Sequence, residues 1–302
     1  MIEVGRPNGA AFARYSRIMA VAGKSLEREM TVAARLAREA GAIALEHCGR
    51  VERLTKTHAT TCGEAVTVAD REVQRAIIAG LREAFPEDGF IGEESETGLG
   101  ITAEDLAPSG RNWVIDPIDG TNNFIAGLGN WAVCIGLLEA GKPRLGIVYD
   151  PTHDALYMGA EGHGASVNGR ACAALQTPMS SSSLLMLTSN LLDPDGRCPS
   201  WAVRWLGRTD WKLRILGSAA LEATLVGAGV AHGAITVNGK LWDCVAASAI
   251  VLAAGGVVTG LDGKPIFPFD VTGYRGRKVP FLAAGAEAHP QLLRELNGGT
   301  EK

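Results

Sequence analysis

The stretch WVIDPIDGTNNF, residues 113–124, constrains this chain more than any other part of it. A run of strand-forming apolar residues leads into Asp116, a proline, a second aspartate at 119 and a glycine. In an extended strand, side chains two positions apart share a face, so a separation of three requires the chain to turn between the acids, and Pro117 supplies that turn. Such a turn exposes the carbonyl of Ile118 between the two carboxylates. Like charges this close repel unless something positive lies between them. Two carboxylates with a carbonyl at their centre form an oxygen-rich cup of the kind a hard cation such as Mg²⁺ prefers. Taken alone, the same residues also fit an Asp-rich turn capping a helix.

The motif has company. IGEES places Glu93 and Glu94 at a strand end, and LWDCVAAS places Asp243 at the start of an apolar helix, where an acid is often simply a cap. Three separate acidic points at strand or helix ends favour a multi-metal carboxylate site. Other chemistries lose ground on spacing. Histidines at 47, 58, 153, 163, 232 and 289 form no H-E-x-x-H pair, and there is no G-x-S-x-G elbow. GKS at 23–25 lacks the glycine of a phosphate loop, since Ile18 stands there, and GAGVAHG at 227–233 follows a helical segment rather than a strand. DPIDGT has D-x-x-D spacing, which counts against the D-x-D aspartyl phosphatases with their covalent phosphoenzyme.

Composition narrows the partners. The chain has 302 residues, 46% hydrophobic and 21% charged, enough for one large or two modest cores. A net charge of -4 gives no basic field for nucleic acid or an anionic membrane, so a phosphorylated ligand must be held by local groups or metal ions. Cysteines at 48, 62, 134, 172, 198 and 244 show no C-x-x-C pair, which predicts neither a zinc site nor a disulfide framework and fits a cytoplasmic location. No apolar run approaches the ~20 residues of a membrane span. Residues 1–24, with Arg6, Arg14 and Arg17, read as an N-terminal extension, a transit peptide being the alternative.

Periodicity predicts an amphipathic helix from Leu26 to about Cys48 and a second over 67–85, where Val73, Ile77, Leu81 and Phe85 share one face and Thr67 with Asp70 has a capping-box-like spacing. FIGEESE and NWVID read as strands, and 131–160 as antiparallel strands. A further strand is expected at LLMLTSN. The segments SAALEATLVGAGV and VAASAIVLAAGG read as helices too apolar for a surface, each followed by a strand-like run. This suggests an N-terminal α+β half over 25–190 and a C-terminal α/β half over 191–302 within one compact unit, with a loop at 192–200.

GEES, WVIDPIDGTNNF, GSAA at 217–220 and WDCVAASAIVLAAGG, in that order, resemble the inositol monophosphatase family of lithium-sensitive, magnesium-dependent sugar phosphatases, from about residue 26 to the C-terminus. The resemblance implies an α+β fold, a layered α/β/α/β/α sandwich, usually as a homodimer. It also implies hydrolysis of phosphate monoesters by a metal-activated water. Carried over by motif, Glu93, Asp116 and the Ile118 carbonyl would hold one Mg²⁺, and Asp116, Asp119 and Asp243 a second, with Glu93 sharing a weaker third. Gly120 and Thr121 would bind phosphate through backbone N–H groups. Thr121, helped by Glu93 or by Asp70, would orient and deprotonate the water. Gly217, Ser218 and Ala219 would line the substrate side together with Asp119 and Asp243.

The chain departs from the family pattern in places. Asn122 replaces a usual threonine, Glu64 a usual aspartate, and Lys56 is a candidate pocket lysine. Inositol-phosphate members typically carry an acid seven residues before the last metal aspartate; here that position is Thr236, and no acid occurs between Glu222 and Asp243. Asn238 is a partial substitute, and Lys240 offers a positive group near the mouth. The expectation is a broad phosphomonoesterase that uses inositol monophosphate without preferring it. Alternatives are a phosphatase for histidinol phosphate or a sugar or nucleoside bisphosphate, or a regulatory family member with little activity.

Overall fold

The computed structural model describes residues 25–50, 54–55, 65–66, 68–94, 106–107, 109–192 and 196–298. Expectations for residues 1–24, Lys56, Glu64 and Thr67 lie outside the described residues. The chain begins with α1 (Glu27–His47), a short antiparallel pair β1 (Leu54–Thr55) and β2 (Ala65–Val66), and α2 (Val68–Ala84). Next come β3 (Gly89–Gly92), β4 (Arg111–Asp119), the short α3 (Thr121–Ile125), β5 (Ala132–Glu139), β6 (Lys142–Asp150), β7 (Ala155–Ala160), β8 (Gly164–Val167) and β9 (Arg170–Cys172). Strands β3 to β9 form a 7-stranded sheet in sequence order, antiparallel except for the parallel β3–β4 pair.

The rest of the chain gives β10 (Leu184–Leu187), α4 (Ser200–Leu206), β11 (Lys212–Arg214), α5 (Ala219–Gly227), β12 (Gly233–Thr236), α6 (Leu241–Ala253), β13 (Val257–Thr259), β14 (Phe281–Ala284) and α7 (Ala288–Leu296). A second sheet of five strands has the order β11-β10-β12-β14-β13, mixing parallel and antiparallel pairs. The chain thus changes sheets between Cys172 and Leu184, and β10, which the sequence reading put in the 25–190 half, pairs within the second sheet.

The layers follow from the apolar faces. Helices α1 and α2 bury Ala33, Leu36, Ala40, Val73 and Ile77 against Trp113, Ile115 and Ile135 on one side of the first sheet. On its other side Val114, Cys134 and Val148 meet α5 and α6, which also cover Met186, Ala234 and Ala283 of the second sheet. Because both of these helices lie between two sheets, their sequences are largely apolar on every face, Glu222 and Asp243 being the charged exceptions. The outer face of the second sheet packs Leu185, Ile235 and Leu282 against Trp201, Trp205 and Leu292 of α4 and α7. The result is the five-layer α/β/α/β/α sandwich expected from the resemblance.

One row of glycines sets how close α6 comes. Gly136, Gly146 and Gly159 lie opposite one another on β5, β6 and β7. A Cβ at Gly146 would stand 2.0 Å from the Ala246 carbonyl oxygen; at Gly136, 2.9 Å from the Ala246 nitrogen; at Gly159, 2.5 Å from Ile250 Cα. The helix backbone therefore rests in a groove that any side chain would fill. The sequence reading missed this row, along with α4, α7, β8, β9, β11 and β14, whose apolar patterns are short.

Candidate metal centre

Three elements converge at one end of the first sheet. Strand β4 does not turn at Pro117 as expected from the sequence. It stays paired with β5 through a bulge: Asp116 faces Cys134 and Asp119 faces Ala132, so three steps on β4 match two on β5. Proline has no N–H to give to a ladder, and the extra residue brings both carboxylates to the same side. From α6, Asp243 in the first turn reaches the same point. Carboxylate oxygens of Asp116, Asp119 and Asp243 all lie within 4.8 Å of one another. Strand β3 delivers Glu93, whose N–H donates to the Ile115 carbonyl at 3.1 Å, beside Asp116.

Each of the three aspartates has one oxygen held by the fold. Asp116 Oδ1 accepts the Ile118 N–H at 3.0 Å. Asp119 Oδ2 accepts the Ala220 N–H at 2.8 Å and the Ser218 hydroxyl. Asp243 Oδ2 accepts the Lys240 N–H at 2.7 Å, across the first turn of α6. The carboxylates are thus oriented before anything binds.

Buried and crowded together, these acids hold their protons more tightly than usual. Burial, and then the charges of Glu93, Asp119 and Asp243, push Asp116 well above the normal carboxylate range. Burial raises Asp119 to about 6 against the opposing hydrogen bonds from Ser218 and Ala220. Burial followed by the charges of Asp119 and Glu93 raises Asp243, the most open of the three, to about 8. The Cys134 thiol opposite Asp116 is pushed far up, first by burial and then by all four acids. So crowded a set of buried oxygen donors fits a hard divalent cation.

The remaining predicted residues fall around this cluster. The Thr121 hydroxyl donates to the Ile118 carbonyl at 3.1 Å. Asp70 is buried in the first turn of α2. Gly120 has φ 93 and caps α3, a backbone that glycine adopts without strain. Gly217, also left-handed at φ +85, packs its carbonyl toward Gly120. Ser218 is buried with its hydroxyl on Asp119, while Gly217 and Ala219 are partly exposed. Thr236 is fully buried, and Lys240 Nζ lies 5.4 Å from the Trp242 ring centroid.

Sequence reasoning missed three supporting residues. Gln74 of α2 donates to the Glu94 carbonyl at 2.5 Å and accepts the Glu94 N–H at 2.9 Å, pinning the acidic turn after β3. A Cβ at Gly92 would lie 2.4 Å from Gln74 Oε1, so a side chain there would push the amide away from its two hydrogen bonds with Glu94. Asn123 and Glu222 brace the turn before α5. A buried glutamine inside an amphipathic helix is the one signal that was available for Gln74.

The inositol monophosphatase family model matches residues 25–298. The chain belongs to the inositol monophosphatase family. A fructose-1,6-bisphosphatase/inositol-1-monophosphatase of Thermotoga maritima is 32% identical over 268 residues, covering 89% of this chain and 95% of the relative. A histidinol-phosphatase of Mycobacterium tuberculosis is 35% identical over 78% of this chain and 85% of its own length. The solved structure of the extragenic suppressor protein suhB from Bartonella henselae superposes with a TM-score of 0.77 at 30% identity, over 90% of this chain and 99% of that one. As an inositol monophosphatase family member the chain is a phosphatase acting on phosphate monoesters, and its acidic cluster suits the family's metal dependence.

Proposed function

We propose that Asp116, Asp119, Asp243, the Ile118 carbonyl and Glu93 hold two Mg²⁺ ions, with Glu93 sharing a third, and that the chain hydrolyses small phosphate monoesters without a covalent intermediate. The convergence of three oriented aspartates within 4.8 Å carries this reading. Bound Mg²⁺ would supply charge for the phosphoryl oxygens and stabilise the attacking and leaving oxygens in line. The chain's own groups do the rest. Gly120 and Thr121 offer backbone N–H groups to the phosphate. The Thr121 hydroxyl, with Asp70 or Glu93 as the proton acceptor, orients the attacking water. Ser218 keeps Asp119 aimed, and Gly217 and Ala219 border the substrate.

The substrate is a small polyol or sugar phosphate read with little preference. Thr236, which is fully buried, stands where inositol-phosphate members typically carry an acid, so the carboxylate that would accept from sugar hydroxyls is missing. A polyol hydroxyl left unpaired there costs about 1–3 kcal/mol, roughly tenfold or more in recognition. A homodimer fits the family resemblance and a cytoplasmic location fits the cysteine pattern; none of the described helices is long and apolar enough to cross a membrane.

A phosphate-release panel tests the substrate reading, using inositol 1-phosphate, histidinol phosphate, fructose bisphosphate, adenosine bisphosphate and glycerol phosphates at matched concentrations. The expected result is turnover of several compounds within about tenfold of one another. Preference for inositol 1-phosphate of about a hundredfold over all others would overturn it.

A further inference from the structure

Glu222 is 1% exposed, yet its carboxylate does not serve its own helix. Ser218 already caps α5 by accepting the Leu221 N–H at 3.3 Å. Glu222 instead reaches back past the cap. Its Oε1 accepts the N–H groups of Leu216 at 2.7 Å and Gly217 at 3.1 Å, while buried Oε2 has no hydrogen-bond partner among the described residues. An apolar side chain here would fill the space but leave both backbone donors without this acceptor.

The same turn is gripped from the other side. Asn123 Nδ2 donates to the Leu216 carbonyl at 2.8 Å and to the Asn130 carbonyl at 2.8 Å. Between the two grips sits Gly217, whose carbonyl oxygen would lie 3.2 Å from a Cβ placed on Gly120, with Ser218 Cβ at 3.3 Å from the same point. The next residues bind Asp119 through the Ser218 hydroxyl and the Ala220 N–H. A shift of the 216–218 turn is therefore felt at two adjacent residues: at Asp119 through hydrogen bonds, and at Gly120 through contact.

We propose that Glu222 is a positioning residue for hydrolysis, clamping the 216–218 turn against Asn123 so that Asp119 and Gly120 keep their working positions. The inference rests on the reading of Asp119 as a metal ligand and Gly120 as a phosphate-binding residue. It concerns neither substrate choice nor the metal ligands themselves. The acceptor geometry matters more than the charge, because the amide oxygen of a glutamine can accept the same two N–H groups.

The test measures p-nitrophenyl phosphate turnover, calorimetric Mg²⁺ binding without substrate, and melting temperature for wild type, Glu222→Gln, Glu222→Ala, Asn123→Ala, the Glu222→Ala/Asn123→Ala double variant and Asp116→Asn. Glu222→Gln should stay within about threefold of wild type in kcat, since both N–H groups keep an acceptor. Glu222→Ala should lose about 10- to 100-fold in kcat, with KM changed far less and Mg²⁺ binding weakened severalfold, the scale seen when a support behind a metal ligand is removed. Asn123→Ala should give a similar loss, and the double variant should be little worse than either single one, because both act through one turn.

A Glu222→Ala protein that melts lower but keeps wild-type kcat and Mg²⁺ affinity would show a purely structural role and overturn the proposal. Additive losses in the double variant, or a glutamine variant as impaired as the alanine one, would overturn it too. If Glu222→Ala does not fold, Asn123→Ala decides: unchanged kcat refutes the clamp, and a loss of about tenfold supports it. Failure of the underlying site reading shows separately, as full turnover by Asp116→Asn.

Discussion

Replacing Gly146 by alanine tests how the sheet positions Asp243. The added methyl would sit 2.0 Å from the Ala246 carbonyl oxygen, 2.7 Å from its carbon and 2.9 Å from Ala246 Cα. Relaxed C···O contacts are about 3.3 Å or more, so α6 must retreat by roughly 1 Å or β6 must bend away. Neither movement is free, because Gly136 and Gly159 hold the same helix on the neighbouring strands. Overpacking of this kind costs about 1–3 kcal/mol, a melting temperature lower by roughly 2–12 °C for a domain of this size. Ala246 is three residues from Asp243, and Mg²⁺ tolerates only a few tenths of an ångström in its ligand distances.

Gly146→Ala should therefore weaken Mg²⁺ binding and lower kcat/KM by about tenfold or more, beyond its effect on stability. Thermal melting, calorimetric Mg²⁺ titration and phosphate release on the purified variant measure the three quantities. Gly164→Ala is the control: its φ is +74 but no heavy atom lies within 4 Å of the added carbon. It should cost about 1 kcal/mol of backbone strain and leave the metal site untouched. A Gly146→Ala protein with wild-type Mg²⁺ affinity would refute the link from the glycine row to the site.

Two further outcomes follow, one from the same geometry and one from the family resemblance together with the oxygen donors of Asp119 and Asp243. Asp119 and Asp243 have folded-state pKa values raised from 3.8 to about 6 and about 8. The metal-free fold therefore binds more protons than the unfolded chain between about pH 4 and 8, and its stability falls as pH rises through that window. Protons and Mg²⁺ compete for the same oxygens, so the rise in melting temperature caused by Mg²⁺ should be larger at pH 8 than at pH 5.5; an equal or smaller rise at pH 8 contradicts the assignment. Lithium should inhibit by taking the position between Asp119 and Asp243, visible as a slower steady-state rate in LiCl than in NaCl at equal ionic strength, whereas equal rates would mean that position is built differently.

Much of this was legible in the sequence because the relevant signals are local. Val73, Ile77 and Leu81 mark the buried face of α2 by spacing alone, and DPIDGT announces its oxygen donors directly. The largely apolar sequences of α5 and α6 marked them as too apolar for a surface, and both lie buried between the two sheets. Other features depend on what lies across space. Nothing near Gly136, Gly146 or Gly159 reveals that they fall into register under one helix, since register is fixed by pairing along the whole hairpin. The β4 bulge looked like a turn because a three-residue separation has two geometric solutions, and only the pairing with β5 selects between them. Glu222 read as an ordinary residue of a helix, since its partners Leu216 and Gly217 precede the cap. α4 went unnoticed because seven residues carry too little periodicity, and its tryptophans gain meaning only when Trp201 and Trp205 pack edge to face with each other and Trp205 with Trp211 beyond the helix.

The most direct test of the account compares wild type and Asp116→Asn by calorimetric Mg²⁺ titration and by phosphate release, each with and without chelator. Asp116 would be shared by both proposed ions, and it feels the charges of Glu93, Asp119 and Asp243 together. Wild type should bind Mg²⁺ and lose turnover on chelation. Asp116→Asn should bind Mg²⁺ far more weakly and lose several kcal/mol of transition-state stabilisation, about 10³-fold or more in rate. Turnover that survives chelation, or that matches wild type in Asp116→Asn, would contradict the claim that these carboxylates hold the metal that hydrolysis needs.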